Sequence, residues 1–593
     1  MESNPFLHAT VGEMLDVVAA RYPDRDAIVA TDERVTYAAF RERAATLARG
    51  LSALGVAPGD NVAIWMPNRP TWFIAQQACA RLGAVVVALN PRYKAHELSY
   101  ILAQSDATAL ILTDQRRGGP REARGRAGHG PPHPPTLGER RHSRTSSSTT
   151  VYSDEYLGNT DYFETLHAVA PEIRDGVPGE LSCERLPSLR SVIVDADDDY
   201  PGCVRFRDVM DAGAEAAMPP LPAPAPDDLF ALLYTSGTTA FPKGAMITHR
   251  NCVPHGWNTG EQLRLTSDDR VLHALPAAGT WGGLNIPLST WSHGACLVLM
   301  ETFDALQAFH LIERERCTVW NGVDMMARAM LDHPELERFD LSTLRTGGFG
   351  AVGGGGHGLF EAVVERLGIP QLYQPYGMTE VNALSLWHDL DEPVELRALS
   401  GVKTPPGIDA RVVHPETGRP CSPGEEGELQ FRGMLVTPGY YKKPDETAAA
   451  FTRDGWFKTG DLAVRDEQGH VMFKGRLKET LRISHFMVAP GEIEAFLMSH
   501  PSVDQAFVVG VPDAVTNEAA VAFVILKEFA TLGEDELRLF CRGKIASYKI
   551  PKVVHFVPDV PRTPGPHGDK VQRLKLREQA LAEGAGDVSN RAL

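Results

Sequence analysis

From Asn61 onward the hydrophobic positions fall into short continuous runs separated by longer stretches with helical spacing. NVAIWMP, AVVVALN and ALILTD read as strands, and PTWFIAQQACARLG and KAHELSYILAQSDA between them read as helices. A strand that is apolar at every position has to be covered on both faces, so this β-α-β-α-β order predicts a parallel sheet with helices on either side. The theme returns at DALQAFHLIERER ahead of CTVWNG, in a further helix through Met330 and in LFEAVVERLG. The expected fold class is α/β, with a large N-terminal body of layered sheets. After about Lys474 the strands shorten (DQAFVVGV, AAVAFVIL, KVVHFVP) and alternate with helices at PGEIEAFLMSH and DELRLFCRGKIA. That change predicts a small α+β domain, with boundaries expected at 1–474 and 479–593.

Two stretches interrupt the pattern. Residues 115–150 contain one large aliphatic residue, Leu137, and no aromatic, so they cannot contribute a packed core segment. A disordered insertion and a gene stretch read in a shifted frame both fit this composition. The abrupt return of patterned sequence at VYSDEYLG favours the shifted frame. MPPLPAPAPDD (218–228) is extended and Pro-rich, as a surface linker is, and GAGDVSNRAL at the end reads as a frayed tail.

Composition narrows the function classes. Lys+Arg 59 against Asp+Glu 76 leaves a net charge of −17, which opposes nucleic acid or an anionic membrane face as the principal partner. No apolar run approaches the roughly 18 residues of a membrane span. The eight cysteines form no C-x-x-C pair and share no metal-type spacing with histidine, so reduced packing residues and a cytoplasmic setting are expected. MESNPFLHATVGEMLD lacks the basic-then-apolar order of a secretory signal.

The chemistry concentrates in FALLYTSGTTAFPKGAMITHRN (230–251). An apolar strand runs into Thr235, Ser236, Gly237, Thr238, Thr239, Lys243 and Gly244, which offer backbone N–H groups, hydroxyls and one ammonium to a polyphosphate. Pro242 before the lysine separates this loop from a Walker A loop. TSGTTAFPKG resembles the phosphate-binding signature of the adenylate-forming (AMP-binding) superfamily. YQPYGMTE (373–380), GWFKTGDLA (455–463), FKGRLKETLRISHFMVAPGEIE (473–494) and PRTPGPHGDKVQRLKLRE (561–578) match further motifs in the family's order. The resemblance implies a large adenylate-forming domain with a small mobile C-terminal domain, and an AMP-producing acid ligase using ATP, Mg²⁺ and most often CoA. Carried over residue by residue, it implies that Thr379 donates to the α-phosphate, that Glu380 and Thr238 hold Mg²⁺, and that Tyr376 offers a flat ring for adenine, with Gly377 among the ATP/AMP-binding residues. Asp461 then accepts from both ribose hydroxyls with Arg476 beside it, Lys570 reaches the reacting carboxylate and α-phosphate, and Lys478 is the hinge.

Three departures bear on these expectations. Ala240 replaces a usual glycine in the phosphate loop, and the stretch before Lys570 is several residues longer than usual. After Ser484, His485 stands where CoA ligases usually carry a glycine bordering the acceptor tunnel. An imidazole there opposes close approach of pantetheine, so an amine or nitrite acceptor, as in amide-forming ligases and diazotases, stands beside CoA. The acid pocket is expected from HALPAAGTWGGLNIP (273–287), with Ala277, Ala278, Gly279, Trp281 and Gly282, and from TGGFGAVGGGG (346–356). Small residues and one indole suit an aryl or medium acyl group.

Overall fold

The computed structural model describes residues 4–114, 161–218, 222–235, 242–350, 358–483, 486–513, 516–542, 544–545, 547–563 and 570–583. The anomalous stretch 115–150 lies outside them. The predicted strand–helix alternation is present: Asn61–Trp65, Val85–Ala88 and Ala107–Thr113 are strands, with helices Pro70–Leu82 and Ala95–Gln104 between them. All five residues of Asn61–Trp65 are buried, as its unbroken apolar pattern requires. These strands form the middle of a seven-stranded sheet that continues through Ser191–Asp195 to Val204–Arg205 on one side, and through Leu229–Thr235 to Lys243–Thr248 on the other. Every pairing is parallel except the last, which is an antiparallel hairpin.

A second, eight-stranded sheet carries Thr346–Gly350 between Gly322–Val323 and Val319–Trp320, with Gln371–Tyr373 alongside. Its strands pair in parallel apart from Asp26–Val29 with Arg34–Thr36. A four-stranded antiparallel sheet follows, in the order Ile408–Val413, Glu426–Gly433, Phe457–Arg465, Val471–Arg476. From Leu481 a separate five-stranded sheet begins. Its long hairpin pairs the edge strand Val503–Asp513 with Asn517–Leu526, and its core includes Ile493, Leu497, Val508, Ala522 and Leu537. All eight cysteines are free.

Helix Tyr37–Ala53 is capped by the Thr36 hydroxyl, which accepts from the Ala39 N–H. It packs on Phe206–Glu215 through two glycines. A Cβ on Gly50 would lie 2.1 Å from the Val209 carbonyl oxygen, and one on Gly213 would lie 2.0 Å from that of Thr46. The missing side chains let the two backbones touch. Alanine at Gly213 gains helix propensity but forces the pair apart, so Gly213→Ala should destabilise the protein by about 1–3 kcal/mol. Chemical denaturation checks this; an unchanged midpoint would contradict backbone contact between the helices.

Candidate active site

The strand Leu229–Thr235 turns back as Lys243–Thr248, and its register places Thr235 opposite Lys243. Both ends of the phosphate-type loop are thereby fixed, while Ser236, Gly237, Thr238, Thr239 and Ala240 lie outside the described residues. The segment Gly439–Tyr441 runs along the outer hairpin strand. Met246 N–H donates to the Gly439 carbonyl at 3.0 Å, and Tyr441 N–H donates to that of Gly244 at 2.9 Å. This sets the Tyr440 ring 5.1 Å from the Lys243 ammonium. The Tyr440 hydroxyl donates to Glu380 Oε1 at 3.0 Å. Burial, with the Glu380 carboxylate close by, pushes the Tyr440 phenol well above its ordinary value.

Thr379 and Glu380 belong to a short 3₁₀ turn, Thr379–Val381. The turn is held against its own continuation: Tyr376 N–H donates to the Leu386 carbonyl at 3.0 Å. A Cβ on Gly377 would lie 1.2 Å from the Ala383 carbonyl oxygen, so only glycine fits there. Tyr376 is buried, with Phe473 at 5.2 Å and Phe431 at 6.2 Å between ring centroids. Its hydroxyl donates to Asp461 Oδ2 at 2.5 Å. Asp461 and Arg476 are cross-strand partners in the four-stranded sheet, with Arg476 Nη1 2.9 Å from Asp461 Oδ1. Close as they are, no aligned hydrogen bond reaches Oδ1. This carboxylate is 2% exposed, whereas the Arg476 side chain is about half exposed. Burial drives the Asp461 carboxyl up to about 6; the Arg476 charge and the Tyr376 hydrogen bond oppose the rise, and the Glu380 charge adds to it.

The remaining expected residues belong to the C-terminal part. Lys570 opens the two-residue strand Lys570–Val571, opposite Thr563. Three positions on, Arg573 is clamped to buried Glu494, with Nη2 2.9 Å from Oε2, and Nη1 donates to the Val508 carbonyl at 3.0 Å. Arg573 Nε also lies 3.0 Å from Glu479 Oε2. Glu479 follows Lys478, which is exposed in the turn after Val471–Arg476. Glu479, one residue after the expected hinge position, and Glu494 are therefore tied through one guanidinium, three residues from Lys570. Ser484 and His485 lie outside the described residues.

Where the sequence leads one to expect the acid pocket, Trp281 opens a single π-helical turn, Trp281–Asn285. Its ring lies against the end of Thr346–Gly350, where a Cβ on Gly348 or Gly350 would come within 2.8 and 3.0 Å of the indole. Gly348 N–H donates to Asn321 Oδ1 at 2.9 Å. The indole thus sits at the carboxyl end of a parallel strand, the end at which open α/β sheets bind ligands. Tyr440 and Asn321 are contributors that sequence reasoning missed. Tyr440 had one signal, the Pro-Gly-Tyr-Tyr turn at 438–441, but Asn321 had none.

Residues 15–441 match the AMP-binding enzyme family, and residues 492–565 match the AMP-binding enzyme C-terminal domain. The chain belongs to this family of AMP-forming ligases. It is 37% identical over 584 residues to YngI of Bacillus subtilis (strain 168), covering 97% of this chain and 98% of that one. It is 31% identical over 582 residues to the human protein named medium-chain acyl-CoA ligase ACSF2, mitochondrial, covering 96% and 87%. The crystal structure of ATP-bound MatB from Rhodopseudomonas palustris superposes with a TM-score of 0.76 at 26% identity, covering 97% of this chain and all of that one. Among the described residues no helix is long and apolar enough to cross a membrane.

In this family member Asp461 titrates near pH 6 when folded, against 3.8 for a free aspartate. The folded state holds the extra proton between those values, so stability relative to Asp461→Asn should fall as pH rises from about 4 to about 6, by up to about 3 kcal/mol. Denaturant melts of both proteins across this window check it. A difference that is flat, or that rises with pH, would contradict the burial argument.

Proposed function

We propose that the chain activates a medium-chain carboxylic acid with ATP, releases pyrophosphate, and transfers the acyl group from acyl-AMP to CoA. The observation that carries the reading is the contact of Lys243, at the exit of the phosphate-type loop, with Tyr440 and through it Glu380, together with the Tyr376–Asp461–Arg476 contact. The reaction brings a carboxylate to the α-phosphorus of a polyanion, and placed cations with preset donors lower that barrier. Lys243 stands at the loop's exit. Asp461 Oδ1, with no aligned donor of its own, accepts from the ribose hydroxyls, and Tyr376 holds the carboxylate in place. Glu380 offers one hard oxygen beside the phosphates, which fits Mg²⁺ held mainly by substrate oxygens. With Thr238 it would hold the ion, which shields phosphate charge when bound.

The carboxylate oxygen attacks the α-phosphorus as the bond to pyrophosphate breaks, with Lys570 neutralising the developing charge. The CoA thiolate then attacks the acyl carbonyl and AMP leaves. The name borne by ACSF2 and the Trp281 wall over Gly348 and Gly350 support the medium-chain assignment. The eight free cysteines keep a cytoplasmic setting part of the proposal. His485 motivates the second reading, in which an amine or nitrite is the acceptor.

Purified protein given ATP and C4 to C12 acids, with CoA present or absent, should form acyl-CoA best near the middle of that range, as read by mass spectrometry. AMP release that ignores CoA and requires an amine or nitrite would overturn the acceptor. Lys570→Ala should lower acid-dependent ATP–pyrophosphate exchange by roughly 10²- to 10³-fold while AMP still binds; exchange near wild type would remove Lys570 from the reaction.

A further inference from the structure

Both ends of the phosphate-type loop are held from one helix. Tyr100 and Gln104 lie four residues apart on Ala95–Gln104, so their side chains share a face. The Tyr100 hydroxyl donates to the Pro242 carbonyl at 3.2 Å, on the residue that precedes Lys243. At the other end the buried Tyr234, which precedes Thr235, donates its hydroxyl to Gln104 Oε1. The strand register sets Tyr234 opposite Gly244 and Thr235 opposite Lys243, so these residues form the two stems from which the loop springs.

The same glutamine has a third partner. Gln104 Nε2 donates to the Tyr441 carbonyl at 2.7 Å, and two residues after Gln104 the Asp106 carboxylate pairs with Lys442. Tyr441 follows Tyr440, whose ring and hydroxyl meet Lys243 and Glu380. The Gly439–Tyr441 segment is thus gripped on one side by the outer hairpin strand and on the other by the end of the helix. One amide joins the loop's entry to the segment that touches its exit.

Chemistry fixes the direction of that amide. A carbonyl only accepts, so the NH₂ group of Gln104 faces Tyr441 and its oxygen faces Tyr234. Burial holds the Tyr234 phenol far above its ordinary value, so the hydroxyl keeps its proton and remains a donor. A glutamate at 104 would keep the size and the acceptor but turn a second oxygen on the Tyr441 carbonyl. A loop that cradles a polyphosphate acts best when its ends are preset, because its donors then need no reordering as charge develops.

We propose that Tyr100 and Gln104 are positioning residues that set the two stems of the phosphate-type loop, and with them Lys243, for the β- and γ-phosphates of ATP. They act through Pro242, Tyr234 and Tyr441 and not on the nucleotide itself. This rests on the acid-activation reading above and adds residues to it. In that reading the nucleoside end is received by Tyr376 and Asp461, away from this helix, so the brace bears on ATP and not on AMP.

The test measures equilibrium affinities for MgATP and for AMP, alongside the KM for ATP in acid-dependent ATP–pyrophosphate exchange, in Tyr100→Phe, Gln104→Met and Gln104→Glu. Tyr100→Phe, which removes one oxygen and keeps the ring, and Gln104→Met should each weaken ATP by about five- to tenfold, while AMP affinity stays within about twofold of wild type. Gln104→Glu should weaken ATP as well, since shape alone does not hold the Tyr441 carbonyl. Unchanged ATP affinity in Tyr100→Phe or Gln104→Met removes that residue from the role, and in both it overturns the proposal. Equal weakening of ATP and AMP, the mark of a merely structural role, overturns it too. Wild-type ATP affinity in Gln104→Glu overturns the part given to the amide. Absence of exchange with every acid in the wild-type enzyme fells the acid-activation reading, whereas the contrast between ATP and AMP affinities still reads the brace.

Discussion

A carboxylate kept almost wholly out of water is the constraint on which this site depends. Asp461 sits 2% exposed between the Tyr376 hydroxyl and the Arg476 guanidinium. Each partner comes from a different piece of structure: Tyr376 from the turn after Gln371–Tyr373, Arg476 from the last strand before the C-terminal sheet. An isolated buried charge is expensive, and here burial outweighs its partners and lifts the carboxyl to about 6. The contact therefore does more for position than for stability. It fixes the eight-stranded and four-stranded sheets against each other next to the turn that carries Lys478.

From that point the geometry extends in two directions. Toward the C-terminal sheet, Glu479 meets Arg573, whose guanidinium is clamped by Glu494 three residues from Lys570. In the other direction, the segment that pairs with Tyr376 continues through Leu386 and Trp387 onto the helix His249–Gln262. One short stretch, residues 376–388, thus touches both the four-stranded sheet and the helix His249–Gln262. Few of those residues could vary without moving a neighbour, as the 1.2 Å approach behind Gly377 illustrates.

Most of the body was legible in the sequence because its strands are apolar at every position and its helices are long. Asn61–Trp65 and Val85–Ala88 announce themselves by period alone. The phosphate-type loop, Glu380 and Asp461 were legible as motifs, since polyphosphate chemistry demands small, hydroxylated, cationic and carboxylate residues in recognisable order. What was not legible depends on contacts between distant segments. Tyr440 reaches Glu380 across 60 residues. The burial of Asp461, and with it the upward shift of its carboxyl, likewise arises from packing that no local pattern encodes.

The central claim is that Asp461, set by Tyr376, receives the ribose of the nucleotide. The most direct measurement is a crystal structure of the full chain with AMP bound. The account predicts both ribose hydroxyls within about 2.7–3.2 Å of the Asp461 carboxylate, with the Tyr376 hydrogen bond intact. AMP held elsewhere, with Asp461 still enclosed by Tyr376 and Arg476, would contradict it.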